Sequence, residues 1–541
     1  MRNLRFRLFF LPLSAACLGG AVSCGVTDAG NAPGIVPADV QTVFNKPLYT
    51  GGTWGMRVID LDSGTTLIDL RPNYKFYIGS VRKTFVLGEM LNQVGPEYHY
   101  DTPVYRQGSI DPSGVLQGDL IVDASGDLTM GGRTNPDGSI AFTSLDHNEA
   151  NTLGNALLTA PDPLAGYASL ASQVAAAGIK EVKGEIAVDD RLFQFNYRNE
   201  FTVTPIFVND DVVDLSINPT SNGMPASVMY RPVSSALGVN NGLVMSGAGT
   251  SANINLEPEL PTCIGQPGCA AEIVGNLPID FVPPVTNQYP LIRTFRIVQP
   301  SNYARTVFIE ELEAAGVKVD APVVEANPVQ ILPAQNSYLP ANHVAMLTGM
   351  TFINDATLVL KVSYNIGADT SLMLWGLTQG IDNFDAALAA EQQNLAANYG
   401  ILPSEYNFVD GAGGGETMAT PTAVIQMLAD MYKRSVYPQY ADALPGLGVD
   451  GSLQDTTDFE SDPTLAGAKG QVHAKTGTTV TAVGSGLVLT TQALGGYVNT
   501  KSGKHLAFEV VVNNVPISGL NDVIQSFQDD ATISAILWRD Y

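Results

Sequence analysis

A long middle section with a β-like pattern is the feature that most constrains the fold of this chain. Residues 106–340 carry short apolar runs, such as the one from Leu120 to Asp123, separated by Gly, Asn and Pro turns. A chain of 541 residues is also too long for one hydrophobic core. The pattern therefore predicts a β-rich insertion at 106–340. Its last residues, the Pro-rich stretch 322–340, return the chain to its first domain.

The parts on either side of this insertion carry local signals for helices and strands. Trp54 to Leu70 has the pattern of two short strands, and a helix follows to about Val94, where Gly95-Pro96 ends it. Further segments are predicted as a helix at Tyr303–Gly316, helices around 345–376, 383–398 and 421–434, a hairpin with its turn at 501–504, and a closing helix at about 521–538.

The N-terminus has the pattern of an export signal. Within residues 1–24, three arginines precede a short apolar run, and small residues follow up to Cys24. Two interpretations of Cys24 remain open. It is the lipid-modified first residue of a lipoprotein, which would anchor the chain to a membrane, or ordinary signal cleavage occurs nearby. Residues 25–45 are predicted to be a linker, with folded sequence from near Leu48, and the protein is expected to be exported to the periplasm.

Charge and cysteine spacing exclude some classes of function. The net charge is −25, with 28 basic and 53 acidic residues, which disfavours nucleic acid as a partner. Cys263 and Cys269 lie six positions apart, a spacing that suits a disulfide in an oxidising compartment better than a metal site. The five histidines include no pair at metal-ligand spacing, so no zinc site is predicted.

Ser80 and Lys83 form a Ser-x-x-Lys pattern at the start of a predicted helix. Residues at i and i+3 lie on one face of a helix, so the Lys83 amine can reach the Ser80 hydroxyl. A serine needs such a neighbouring base to become a nucleophile, and the helix N-terminus favours a developing oxyanion. Alone, the pattern is weak, because a surface serine beside a solvated lysine explains most such pairs.

Two further weak patterns follow in the chain. Ser363-Tyr-Asn365, in a region predicted to be helical, offers a hydroxyl for proton relay and an amide for substrate binding. Lys475-Thr476-Gly477, in a predicted strand, offers a clamp for a peptide carboxylate and a glycine that allows close approach.

Other matches to the same two patterns have simpler explanations. Ser216-Ile-Asn218 and Ser251-Ala-Asn253 lie in the β-rich section, where capping or turn roles account for them. Lys501-Ser502-Gly503 lies at the predicted hairpin turn.

In this order the three patterns become specific. The chain resembles the D-Ala-D-Ala carboxypeptidase/endopeptidase family of low-molecular-mass (class C) penicillin-binding proteins, peptidase family S13. The resemblance extends over about 45–540 and includes the segments Gly114–Leu120, Ala187–Phe193 and Val409–Gly413.

The resemblance implies an α/β (α+β) domain of the β-lactamase/transpeptidase type, made from 46–105 and 341–541 and split by one or two β-rich domains at 106–340. It implies a serine-type D-Ala-D-Ala carboxypeptidase or endopeptidase that acts on peptidoglycan stem peptides, is acylated by β-lactams and needs no metal or cofactor. Carried over by motif, the catalytic residues are Ser80 (nucleophile), Lys83 (base) and Ser363 (proton relay), and the substrate-binding residues are Asn365, Lys475, Thr476, Gly477, Thr478 and Asp189.

Two positions depart from the family pattern, because Tyr364 stands where Asp is usual and Ala412 where Ser is usual. Neither group is assigned to bond making, so we expect an effect on substrate preference. The alternatives to a peptidase are a catalytically silent wall-binding lipoprotein with the same fold, and a β-lactamase or esterase with the same catalytic groups.

Overall fold

The computed structural model of the protein describes residues 36–198 and 201–541. Residues 1–35, which include the predicted signal and Cys24, lie outside the described residues. The first part of the chain contains α1 (Ala38–Phe44), β1 (Thr53–Asp60), β2 (Thr66–Leu70), β3 (Phe76–Tyr77) and α2 (Lys83–Val94). Within the described part of the chain, no helix has the length and apolar character needed to cross a membrane.

The middle of the chain is mostly short strands. Its elements are β4 (His99–Arg106), β5 (Ser109–Ile110), β6 (Val115–Gln117), β7 (Leu120–Asp123), α3 (Ala150–Leu153), α4 (Ala165–Ala176), β8 (Glu181–Val182), β9 (Ile186–Asp189), β10 (Asn196–Arg198), β11 (Phe201–Val203), β12 (Val212–Asn218), β13 (Ser227–Arg231), β14 (Gly238–Ser246), β15 (Asn253–Glu257), β16 (Ala270–Pro278), β17 (Leu291–Arg296), α5 (Pro300–Ala314), β18 (Lys318–Val319) and β19 (His343–Thr351).

The last part returns to helices and long strands. It contains α6 (Phe352–Lys361), α7 (Asn365–Thr378), α8 (Phe384–Tyr399), β20 (Tyr406–Asn407), β21 (Met418–Ala419), α9 (Pro421–Tyr432), α10 (Tyr437–Ala443), β22 (Val472–Val483), β23 (Gly486–Asn499), β24 (His505–Ile517) and α11 (Leu520–Asp540).

A five-stranded antiparallel sheet joins the two ends of the chain, in the order β2-β1-β24-β23-β22. α1 and α11 pack on one face, and α2 and α9 pack on the other. Because helices cover both faces, the central strands are apolar without alternation, as in the run Val510–Val512. This sheet carries the β22 edge strand past the start of α2.

The middle section forms several small sheets. β4 pairs with β19 and with β7, and β7 continues in parallel to β9. The strand pairs β12 with β13 and β17, and β14 with β16 and β15, build two three-stranded sheets. The predicted boundary at 105/106 thus falls inside β4, and the boundary at 340/341 lies just before its partner β19.

Two local predictions for segments outside the three motifs are wrong. Residues 343–351 form β19 and not a helix, because this segment pairs with β4 as an antiparallel strand. The folded chain also begins before Leu48, since α1 lies inside the predicted linker 25–45. Val40 and Val43 of α1 are buried in the core formed with α11.

Other local predictions are confirmed. The chain forms the helix that ends before Gly95, the hairpin with its turn at 501–504, and the closing helix α11. Cys263 and Cys269 are joined in a disulfide in the loop between β15 and β16. This loop lies in the inserted section, away from the five-stranded sheet.

Candidate active site

Ser80 lies in a single 3-10 turn, Gly79–Arg82, that leads directly into α2. Its side chain is partly exposed, whereas Lys83, one turn further on, is fully buried. The Lys83 Nζ atom lies 2.7 Å from Ser80 Oγ. The i, i+3 geometry expected from the sequence is therefore present, with the nucleophile accessible and the amine shielded from water.

The Lys83 amine is held by three oxygen atoms. Besides Ser80 Oγ, the Nζ atom contacts Asn365 Oδ1 and the Ala412 carbonyl oxygen, each at 2.7 Å. These two oxygens can only accept hydrogen bonds. All three oxygens can accept from a lysine ammonium. Once Lys83 has lost its proton, its two remaining hydrogens suffice for Asn365 and Ala412, and the lone pair can accept the proton of Ser80.

The electrostatic surroundings of Lys83 favour loss of its proton. Burial lowers the pKa of the Lys83 ammonium to about 8, although Asp410, Asp369 and Glu149 oppose that shift by their negative charges. A base with a pKa near the working pH combines a useful fraction of neutral amine with enough basicity to accept a proton.

Ser363 occupies a break between α6 and α7, and not a helix as the sequence pattern indicated. Its φ of 63° lies in the left-handed region, which is unusual for a serine and costs about 1–3 kcal/mol. This conformation ends α6 and lets α7 begin at Asn365. Ser363 Oγ accepts a hydrogen bond from Lys475 Nζ at 3.0 Å. The second and third motifs therefore meet at this hydroxyl.

Lys475 is fully buried in β22. Its Nζ also donates to the carbonyl oxygen of Thr476, at 2.9 Å. Burial, followed by the nearby Lys83, holds the pKa of Lys475 well below its usual range. The Thr476 hydroxyl is 2.9 Å from that of Ser452.

Two glycines allow β22 to lie against the Ser80 turn. A Cβ at Gly477 would lie 2.0 Å from the Ile78 carbonyl oxygen, and a Cβ at Gly79 would lie 2.9 Å from the Thr478 nitrogen. This close approach brings the backbone nitrogen atoms of Ser80 and Thr478, each carrying an N–H donor, to the junction of β22 with the Ser80 turn. Two such donors are what an oxyanion hole requires.

The two residues that depart from the family pattern have clear positions. Tyr364 is buried, and its hydroxyl donates to the backbone carbonyl of Asp210 in the inserted section, at 3.3 Å. Ala412 serves through its carbonyl oxygen, which accepts from Lys83. The loop that carries this carbonyl is fixed by Asp410, whose carboxylate accepts from the Gly413 N–H at 2.7 Å.

Asp189 lies apart from these contacts. Its carboxylate accepts two hydrogen bonds from the Arg191 guanidinium, at 2.8 and 2.7 Å, and one from Tyr338 Oη at 2.7 Å. Burial acts to raise the pKa of Asp189, but these hydrogen bonds outweigh it and lower the pKa. None of these partners belongs to the three motifs, so its predicted contact with substrate stays a prediction.

Sequence reasoning did not identify Glu149 or Ser452 as site residues. Glu149 comes from the inserted section, and its Oε1 lies 3.5 Å from Asn365 Nδ2. No pattern in the sequence marks it, because it is more than 200 positions from Asn365. Ser452 lies in the segment Gly448–Leu453, which fits the family pattern, but the sequence assigned it no role.

These features define a class of protein. A serine hydrogen-bonded to a buried lysine three residues later, with a second hydroxyl that accepts from another buried lysine, has the groups of a serine hydrolase that works through an acyl-enzyme. The domain that carries the site is of the β-lactamase/transpeptidase type, split by a long β-rich insertion.

The chain belongs to the D-Ala-D-Ala carboxypeptidase 3 (S13) family, whose sequence profile matches residues 36–529. A D-alanyl-D-alanine carboxypeptidase from Actinomadura sp. (strain R39) is 23% identical over 543 aligned positions, which cover 94% of this chain and 86% of that protein. The chain is therefore a serine-type peptidase of this family, and the family and enzyme class predicted from the motifs are confirmed.

Solved structures support the fold. Penicillin binding protein 4 from Haemophilus influenzae superposes with a TM-score of 0.65 at 16% identity, over 91% of this chain and 98% of that chain. The same protein, complexed with a β-lactam, also gives a TM-score of 0.65, over 93% of this chain and 100% of that chain. The predicted fold class is thereby confirmed.

Proposed function

We propose that this enzyme is exported to the periplasm and cleaves the D-Ala-D-Ala end of peptidoglycan stem peptides through an acyl-enzyme on Ser80. The observation that carries this proposal is the contact of 2.7 Å between Ser80 Oγ and Lys83 Nζ, made while the other two contacts of Lys83 are to hydrogen-bond acceptors. When Lys83 is neutral, that arrangement lets its lone pair accept the serine proton.

In the first step, Ser80 Oγ attacks the penultimate D-Ala carbonyl carbon and Lys83 takes the hydroxyl proton. The oxyanion that forms is stabilised by the N–H groups of Ser80 and Thr478, whose approach depends on Gly79 and Gly477. Because this charge exists only in the transition state and intermediate, the two donors accelerate the reaction without tightening substrate binding.

The leaving amine must gain a proton when the peptide bond breaks. Ser363 is placed to deliver it, because its hydroxyl lies 3.0 Å from Lys475 Nζ. Asn365 contacts Lys83 and begins the helix after Ser363, so its amide can also hold the peptide backbone. The buried Lys475 and the Thr476 hydroxyl form the side of the site that would receive the terminal carboxylate.

β-Lactams should acylate the same serine. The strained amide of a β-lactam presents its carbonyl carbon to Ser80, and the carboxylate of the drug would lie against Lys475 and Thr476. The terminal carboxylate of the peptide would occupy the same place. The structurally similar penicillin binding protein 4 from Haemophilus influenzae has been solved with a β-lactam. Carboxypeptidase and endopeptidase action use the same nucleophile, and we propose that both occur, distinguished by whether D-Ala or a cross-linked strand leaves.

Export is supported by the N-terminal pattern of residues 1–24 and by the disulfide between Cys263 and Cys269, which suits an oxidising compartment. A lipid on Cys24 would anchor the mature protein to a membrane. Fractionation of cells that express the full chain tests both points. A Cys24→Ser variant released from the membrane fraction would identify the anchor, and a cytoplasmic full chain would refute export.

Intact-protein mass spectrometry with benzylpenicillin tests the chemistry. We expect the wild-type protein to gain the mass of one penicilloyl group, and Ser80→Ala to gain none. Ser502→Ala is the matched control, since Ser502 lies in the exposed Lys501-Ser-Gly turn of the β23–β24 hairpin, outside the three motifs, and this variant should be acylated like wild type. The wild-type protein and Ser502→Ala should also release D-Ala from an acylated L-Lys-D-Ala-D-Ala peptide, and Ser80→Ala should not.

The alternatives predict different outcomes. A catalytically silent wall-binding protein would neither form the adduct nor release D-Ala. A β-lactamase would hydrolyse benzylpenicillin rapidly without a lasting adduct, and an esterase would act on ester substrates but leave the D-Ala-D-Ala bond intact. Incubation with a cross-linked muropeptide dimer and with a pentapeptide monomer then measures the ratio of endopeptidase to carboxypeptidase action.

A further inference from the structure

Glu149 brings a carboxylate from the inserted section to the catalytic motifs. It is the N-cap residue of α3, and its Oε1 lies 3.5 Å from Asn365 Nδ2. The opposite end of the same amide, Asn365 Oδ1, accepts from Lys83 Nζ at 2.7 Å. The Asn365 amide therefore links Glu149 to Lys83, whose Nζ contacts Ser80 Oγ.

The position of Glu149 is fixed by a buried polar network in the residues just before it. Asp146 accepts two hydrogen bonds from Arg133, at 2.7 and 2.9 Å. His147 bonds to Asp214 at 2.8 Å and to Asp210 at 3.1 Å. All five side chains are buried, so the turn that carries Glu149 has little freedom to move away from the site.

The charges of this network cancel when Arg231, which donates to Asp214 at 3.0 Å, is counted with Arg133 and His147 against the three aspartates. Burial acts to lower the pKa of His147, but Asp214 and the other acids outweigh it and raise the pKa to about 10, so the ring is protonated. Arg133 also contacts Asp210, and the guanidinium occupies the space between Asp146, His147 and Asp210. We therefore assign this cluster a role in positioning Glu149.

Hydrolysis of the acyl-enzyme needs a base that Lys83 is poorly placed to supply. Its amine is held by Asn365 Oδ1 and the Ala412 carbonyl, and its third contact is Ser80 Oγ. In the acyl-enzyme that oxygen belongs to the ester, so the Lys83 amine lies beside the leaving oxygen. The attacking water must approach the acyl carbon from another direction and lose a proton there.

The surroundings of Glu149 adjust its basicity for that task. Burial raises the pKa of its carboxyl group, while the positive charges of Arg296 and Lys83 and a hydrogen bond from Thr152 act to lower it. The negative charge of Glu149 also acts to raise the pKa of Lys475, as it does for Lys83, so the carboxylate interacts electrostatically with both buried lysines of the site. A raised carboxyl pKa makes the carboxylate a stronger base.

We propose that Glu149 is the general base that activates the water which hydrolyses the Ser80 acyl-enzyme. This inference rests on the proposed function. The carboxylate takes one proton from water as the water oxygen bonds to the acyl carbon. The bond between that carbon and Ser80 Oγ then breaks, and one proton is returned to Oγ as Glu149 gives up the proton that it took. The net change is the addition of one water, which restores the serine hydroxyl and releases a carboxylic acid.

The test separates acylation from deacylation in a Glu149→Gln variant. Glutamine keeps an Oε1 acceptor for Asn365 Nδ2, so acylation by benzylpenicillin should stay within about threefold of wild type. Loss of a general base typically costs 10²–10⁴-fold, so the penicilloyl adduct should persist at least about 10²-fold longer. The adduct is followed by intact mass after excess drug is removed.

Hydroxylamine distinguishes a base from a structural residue. This nucleophile attacks an ester without prior loss of a proton, so it should release the adduct from Glu149→Gln as fast as from wild type. Glu259→Gln is the matched control, because Glu259 is exposed and accepts a hydrogen bond from Asn151 of α3 at 3.0 Å without reaching the motifs. It should deacylate at the wild-type rate.

Each other outcome overturns the inference in a distinct way. Unchanged deacylation in Glu149→Gln would mean that Lys83 serves both steps. Acylation and deacylation that fall together, with hydroxylamine release also slowed, would make Glu149 a structural residue. Absence of any acylation in the wild-type protein would refute the proposed function itself, before the question of Glu149 arises.

Discussion

Replacement of Gly477 by alanine tests how the site depends on the close approach of β22 to the Ser80 turn. The new Cβ would lie 2.0 Å from the Ile78 carbonyl oxygen and 3.1 Å from the Ser80 nitrogen. Carbon and oxygen atoms normally approach to about 3.3 Å, so the strand must withdraw by about 1 Å. The backbone of Gly477 itself permits alanine, because its φ lies outside the left-handed region.

That displacement acts on the oxyanion hole, since Thr478 follows Gly477 directly. Loss of one oxyanion donor costs about 10²–10³ in rate, and a 1 Å misplacement of reacting groups costs about 10². We therefore expect the rate constant for acylation by benzylpenicillin to fall by about 10²–10³, measured by stopped-flow or by the time course of adduct mass.

Gly486→Ala is the matched control. Gly486 begins the neighbouring strand β23, and a Cβ there would meet its nearest atom, the Val483 carbonyl oxygen, at 3.7 Å. It should react at the wild-type rate. Thermal unfolding checks that both variants are folded. A folded Gly477→Ala protein that is acylated within about tenfold of wild type would refute the steric argument.

Three further predictions concern pH and stability. Acylation should accelerate as pH rises to the Lys83 pKa of about 8, because only the neutral amine accepts a proton; Lys83→Ala should be slower by about 10²–10⁴ and lack this limb in its pH–rate profile. Burial and, to a lesser extent, the charge of Asp530 raise the pKa of Glu509, whose oxygens have no hydrogen-bond partner among the described residues. The contribution of neutral Glu509 to the free energy of unfolding is therefore complete below the unfolded pKa of about 4.3 and is lost as pH rises through the folded pKa. In urea titrations, Glu509→Gln should lose less free energy of unfolding than wild type when the pH is raised. Reduction of the Cys263–Cys269 disulfide, which closes a short loop, should lower the free energy of unfolding by about 2 kcal/mol, and a double serine variant should not respond to reductant.

The three motifs could be recognised from the sequence because the residues of each motif lie within a few positions of one another. Ser80 and Lys83 are joined by helical geometry, and Lys475 to Thr478 lie on one strand. Local signals also predicted α2, the β23–β24 hairpin and α11. They failed at 343–351, where apolar residues suit a strand as well as a helix and pairing with β4 decides between them.

The same limit explains the error at the N-terminus. The segment 38–44 is short and is flanked by small and turn-forming residues, so its sequence pattern resembles that of a linker. They form α1 because Val40 and Val43 find an apolar surface on α11, at the other end of the chain. No local pattern contains that information, since isolated helices of this length are not stable in water.

What the sequence by itself determined is the family, the order of the motifs and the residue types that perform the chemistry. Only the tertiary structure decided that Lys83 bonds to Ser80, Asn365 and the Ala412 carbonyl at once, and that Glu149 of the insertion reaches Asn365. The physical reason is separation along the chain. Contacts between residues hundreds of positions apart depend on how sheets and helices pack, and side-chain burial, which sets the pKa of Lys83, exists only once that packing is complete.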